Sequence, residues 1–195
     1  MLKLLTRIFL VLTLCLGLGM TQNAEAAIHR QEVGFVVVDP HDLASRQDLA
    51  EWRSVVKWAY HFPYYRFADG MTERSMKLAL YGPELPVSKA DLARQAEKHD
   101  LGAIVLVKVR RLSDRLVHRC GYGRWRDDGD DNGPYVELDV AVDLYVYKTE
   151  GDKLLKKRVR ERGLKELGNY EEPAETVKWA LCDLVNKMEH RPLIR

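Results

Sequence analysis

Two short apolar runs, Val33 to Asp39 (VGFVVVD) and Ala103 to Val109 (AIVLVKV), constrain this chain most. β-Branched residues in a nearly unbroken series describe strands buried on both faces, so the sheet they build needs helices to cover it. Asp39-Pro40 ends the first run, because proline cannot donate to a ladder and biases its predecessor away from helix. Ser45 with Asp48 then forms a capping-box pattern, and Leu49, Trp52, Val56 and Ala59 recur at helical spacing as far as Tyr60. Ser88 with Asp91 repeats the pattern before Leu92, Ala93 and Ala96, with Leu101-Gly102 expected to close that helix near His99. Strands alternating with helices of this length imply right-handed crossovers between parallel neighbours.

Between these units the pattern is less regular. Pro63 stops the first helix, Tyr64 to Phe67 (YYRF) suits a short strand, and Asp69-Gly70 reads as a turn before a short helix from Thr72 to Tyr81. The aromatic stretch from Trp58 to Phe67 is expected to serve the core, with a glycan-lining surface as the alternative.

After Val109 the pattern changes. Val136, Leu138, Val140, Val142, Leu144 and Val146 alternate with Glu137, Asp139, Ala141, Asp143, Tyr145 and Tyr147, which predicts a long strand with one buried and one wet face. Glu150-Gly151-Asp152 turns the chain, Leu154 to Arg162 returns as a basic antiparallel strand, and Pro173 opens a last helix carrying Val177, Leu181, Leu184 and Met188 as one stripe. The expected fold is therefore α/β with an α+β tendency. Its order is β-α-β-α-α-β-β-β-α, a single domain with a mixed sheet of about five strands and three to four helices mainly on one face.

The amino-terminal segment has its own signature. Lys3 and Arg7 precede an apolar core from Ile8 to Leu18, and Ala24-Glu25-Ala26 offers the small residues that a signal peptidase reads, so residues 1–26 are expected to be a removed export signal and residues 27–195 the domain. The apolar run is shorter than the roughly 20 residues a membrane span needs. Leu14 before Cys15 does not suit a lipoprotein box. The expected location is periplasmic or secreted. Cleavage would remove two of 31 basic and one of 29 acidic residues, leaving a net charge of +1, too balanced for a general nucleic-acid binder. Cys120 and Cys182 would then be the two remaining cysteines, and an oxidising compartment permits either one disulfide or two free thiols.

Three stretches, VGFVVVDP, SKADLARQAEKHDLGAIVLVKV and VELDVAVDLYVYKTEGDKLLKK, have a family character. Together they resemble the periplasmic α/β domains of the curli-secretion lipoprotein family and the amino-terminal domain of TolB-like proteins. The resemblance spans most of residues 33–190 and implies an envelope assembly or scaffold component, usually without catalysis. It assigns no functional residue, and the family's lipid-anchor cysteine has no counterpart here.

Three constellations carry candidate chemistry. Asp128-Gly129-Asp130-Asp131-Asn132-Gly133 fits the start of a calcium loop, with Asp128, Asp130, Asn132 and Asp139 as the ligands. The last ligand is normally a Glu on an exiting helix. Here it is Asp in an expected strand, which favours a solvated acidic loop, with a calcium-stabilised module as the alternative. Asp39, His41 and Asp42 cluster beyond the carboxyl end of the first strand, where open α/β sheets bind ligands, and define a hydrolase alternative. No second histidine lies at ligand spacing, and no G-x-S-x-G elbow, H-E-x-x-H or phosphate loop is present. Finally, basic residues gather from Lys108 to Arg126 and again at Lys156, Arg158, Arg160 and Arg162. Arg110, Arg124, Trp125, Arg126, Arg158 and Arg160 are the expected binding residues for a protein or for an anionic glycan or lipid of the envelope, although charges on an edge strand also guard against aggregation.

Overall fold

The computed structural model describes residues 30–82, 86–118 and 134–188. The chain divides into two units, residues 1–30 and Gln31–Arg195, and the fold below belongs to the second. The described elements run β1 (Gln31–Val38), α1 (Arg46–Ala59), β2 (Tyr65–Phe67), α2 (Gly70–Leu80), α3 (Lys89–Lys98), β3 (Leu101–His118), β4 (Pro134–Lys148), β5 (Lys153–Glu166), a single 3-10 turn at Leu167–Asn169, and α4 (Pro173–Lys187). They form one mixed five-stranded sheet with four helices, an α+β fold in the expected element order.

The spatial order is β2-β1-β3-β4-β5. β1 runs parallel to both β2 and β3, so the first buried run is an interior strand as its unbroken apolar sequence requires. β3, β4 and β5 form an antiparallel meander.

Local chemistry sets the element ends. Ser45 and Ser88 make complete capping boxes with Asp48 and Asp91, satisfying backbone donors that the first helical turn leaves without partners. Asp69, which reads in the sequence as part of a turn, caps α2 by accepting from Thr72 N at 2.7 Å. Leu101-Gly102 does not close α3. Asp100, with φ +52°, makes the reversal, and Leu101 already pairs with Glu32 as the first residue of β3. β3 also runs nine residues past the expected Val109, because ladder pairing with β4 carries a polar stretch that hydropathy alone does not mark as strand.

The helices divide between the two faces, where the sequence pattern places them mainly on one. α1 and α4 cover one face, packing Trp52, Val56, Val177 and Leu181 onto Val33, Phe35, Val105, Val107, Val142 and Leu144. Trp52 Nε1 ties the two helices by donating to Ala174 O at 3.0 Å. α2 and α3 cover part of the other face, where Met76, Leu80, Leu92 and Ala96 meet Val36, Val38, Ile104, Leu106, Tyr145 and Tyr147. The expected wet face of β4 is thus largely buried, since Ala141, Asp143, Tyr145 and Tyr147 are all at most 4 % exposed. Helices on that side cover the tyrosines, and a polar cluster described below encloses Asp143.

In the aromatic stretch, Tyr60 and Tyr65 are buried and meet edge-to-face with centroids 5.0 Å apart, whereas Trp58 and Phe62 are exposed. Burial pushes the Tyr65 phenol up to about 12, with a further contribution from Glu150. An unfolded tyrosine ionises near pH 10, so the stability this neutral phenol contributes is intact below pH 10 and is lost as pH rises towards 12. Urea unfolding of Tyr65→Phe should therefore show a shallower loss of stability from pH 9.5 to 11.5 than the parent chain shows. Parallel curves would contradict the assignment.

Candidate functional site

The face of the sheet that α2 and α3 cover changes character beyond Leu106. α2 packs on β1, and α3 on β3 and β4. Further along the same face, side chains alternate out of β3, β4 and β5 in rows fixed by the ladder register. One row is Leu106, Tyr145, Lys156; the next is Lys108, Asp143, Arg158; then Arg111, Ala141, Arg160; then Ser113, Asp139, Arg162. A bulge between Val109 and Arg111 leaves Arg110 outside the regular pairing.

Asp143 organises the group. It is 2 % exposed, and its carboxylate takes Arg110 Nη2 at 2.9 Å on one oxygen and Arg158 Nε at 3.1 Å on the other. Lys108, 1 % exposed, stands opposite it in register. Burial holds the Lys108 ammonium below the usual lysine range, the Arg110 charge adds to that, and Asp143 pulls it back up. Three cations around one carboxylate leave the cluster positive.

Around it the positive charge is only partly balanced. Arg111 Nε lies 3.3 Å from Asp139, while Lys156 sits over the Tyr145 ring with Nζ 4.8 Å from its centroid. Arg160 and Arg162 are exposed and make no ion pair among the described residues. In these four rows, with Arg110, seven basic side chains stand beside two acids. Such an arrangement can hold an extended array of anionic groups, the buried carboxylate fixing the guanidiniums in advance.

The structure brings the expected binding residues Arg110, Arg158 and Arg160 together here, while Arg124, Trp125 and Arg126 lie outside the described residues. Asp143 carried no binding signal in the sequence. It reads there as one more polar residue of an alternating strand, and only the cross-strand register reveals its role.

The other candidates fare differently. Of the calcium ligands, Asp128, Asp130 and Asn132 lie outside the described residues, and Asp139 faces Arg111 from within β4. Among the described residues no group of three or more His, Cys, Asp and Glu is placed to hold a metal. Asp39 accepts from Ala44 N at 2.8 Å and from His41 N at 3.4 Å, so both its oxygens hold the turn that leads into α1. Asp42 sits in the left-handed region of that turn with φ +50°. Cys182, on α4, forms no disulfide among the described residues, and Cys120 lies outside them.

A cleft of about 400 Å³ at the amino ends of α1 and α4 is lined by Asp48, Glu51, Asp114, Glu172 and Glu175 among others. Four of these five acids already have structural work: Asp48 completes the α1 capping box by accepting from Ser45 N, Lys178 bridges Glu51 and Glu175 at 3.0 and 2.9 Å, and Asp114 accepts from the Tyr170 hydroxyl. No described helix is long and apolar enough to cross a membrane.

No family model and no curated protein matches this chain. Among solved structures it is similar to a PelC dodecamer from Paraburkholderia phytofirmans, with 8% identity, 82% of this chain and 89% of that one covered, and a TM-score of 0.36. It is likewise similar to lipoprotein GNA1162 from Neisseria meningitidis, with 9% identity, coverage of 80% and 97%, and a TM-score of 0.39. A third is the hypothetical protein CT253 from Chlamydia trachomatis, with 10% identity, coverage of 81% and 90%, and a TM-score of 0.36. Likeness at this level carries no argument about the site, and the functional reading rests on the chain's own residues.

Removing the Asp143 carboxylate should take away the counter-charge that Arg110 and Arg158 contact and that stands opposite the buried Lys108, and breaking such a buried pair costs about 3–5 kcal/mol. Asp143→Ala should lose stability on that scale in urea unfolding, and Lys108→Met added to it should recover part of the loss. Additive losses from the two substitutions would show that the charges are not coupled.

Proposed function

We propose that this protein is a non-catalytic binding module of the cell envelope that captures an anionic partner on the basic face of β3, β4 and β5. The observation that carries the reading is the incompletely neutralised row of Lys156, Arg158, Arg160 and Arg162 beside a buried Asp143 that pre-positions Arg110 and Arg158. Charges scattered on an edge only to deter aggregation would not need a buried counter-charge to orient them. In this reading residues 1–26 are an export signal, and the resemblance to periplasmic assembly domains supports the same location.

The test uses the purified protein and fluorescent polyglutamate as a chain of closely spaced carboxylates. Saturable binding should weaken as NaCl is raised, because surface charge attraction is screened. Arg160→Ala/Arg162→Ala, which leaves the ion pairs of Asp143 in place, should bind at least about tenfold more weakly, a loss of about 1.4 kcal/mol. Equal binding by the double variant, with its unfolding midpoint unchanged, would overturn the reading.

A further inference from the structure

β5 is the last strand in the sheet order, with β4 on one side and no strand on the other among the described residues. Its 14 residues contain no proline and pair with β4 continuously from Lys153 to Glu166. Of the devices that close an edge to other chains, namely shortness, proline, bulges and covering elements, this strand shows none among the described residues. Its outward backbone groups can therefore receive another strand.

The charge pattern says which strand fits. Lys156, Arg158, Arg160 and Arg162 project from one face at every second position, roughly 6.6–6.8 Å apart along the chain. A strand hydrogen-bonded to the β5 edge sets its own alternate side chains on the same face, with Cβ atoms roughly 4.5–5.5 Å from those opposite. Carboxylates there would pair with four cations in register. On the other face β5 presents Leu155, Lys157, Val159 and Glu161, with Lys157 already held by Asp183 of α4 at 2.9 Å. A second copy of the chain fits poorly, because joining two β5 strands would set one row of Arg and Lys against another, and like charges directly opposite are destabilising.

We propose that the β5 edge takes an extended acidic segment of a partner protein as a sixth strand, with Asp or Glu at alternate positions. This inference rests on the reading of the basic face as an anion-binding surface and adds the form of the ligand. Main-chain hydrogen bonds supply the affinity and the alternate acids supply register and selectivity, the division of labour in strand addition.

The experiment compares three fluorescent probes on the full chain: a nine-residue alternating Glu-Thr peptide, the same peptide with two Thr replaced by Pro, and polyglutamate. Proline keeps the charge and removes strand donors. The alternating peptide should bind at least about tenfold more tightly than its proline version, and it should slow hydrogen exchange of amides within residues 153–166. Equal binding of all three probes, without added protection in β5, would overturn strand addition while leaving the anion-binding reading intact. Failure of all three to bind would overturn both. Sedimentation showing a dimer in which the β5 amides are already protected would assign the edge to a second copy and overturn the proposal.

Discussion

The antiparallel register of β3, β4 and β5 is the constraint on which the rest depends. Val140, Val142, Leu144 and Val146 must face α1 and α4, and this single requirement sends Asp139, Ala141, Asp143 and Tyr145 to the opposite side. A slip of one residue would place Asp143 among valines and Leu144 beneath arginines, so hydrophobic burial and charge pairing both specify the same register. The row Lys108, Asp143, Arg158 is a consequence of that register. Burying these charges is unfavourable by itself, and the two guanidinium contacts at 2.9 and 3.1 Å compensate it.

The two faces divide the labour. α1 and α4 complete one of them, and their packing through Trp52 and Val177 makes it the main core. α2 and α3 complete only part of the other, and among the described residues the outer reach of β4 and β5 carries long basic side chains. Lysine and arginine suit that position because their stems cover apolar surface while their heads stay in water. Among the described residues, the basic face thus lies where the helices end.

Much of the fold was legible because local signals agreed with each other. Ser45 with Asp48 and Ser88 with Asp91 announced two helices, and both capping boxes form. The alternation from Val136 to Tyr147 announced a strand, and Gly151 at φ +79° turns it back. The outer half of β3 was hidden because Arg111, Ser113 and Arg115 have no apolar alternation, and pairing with β4 holds them extended. The helix distribution was hidden for a related reason: Met76 and Leu92 mark a buried stripe but not which side of the sheet receives it. Of the site, the basic residues were visible as composition. Their common centre was not, since Asp143 meets Arg110 and Arg158 only once β3 and β5 are registered on either side of it.

In the proposed function an anionic chain lands on the face organised by Asp143. Backbone amide resonances followed during a titration with unlabelled polyglutamate test it directly. The largest shifts should fall on Lys108, Ala141, Asp143, Arg158 and Arg160, with the residues of α1 and α4 unmoved. Saturating shifts elsewhere, with those five residues unperturbed, would contradict it.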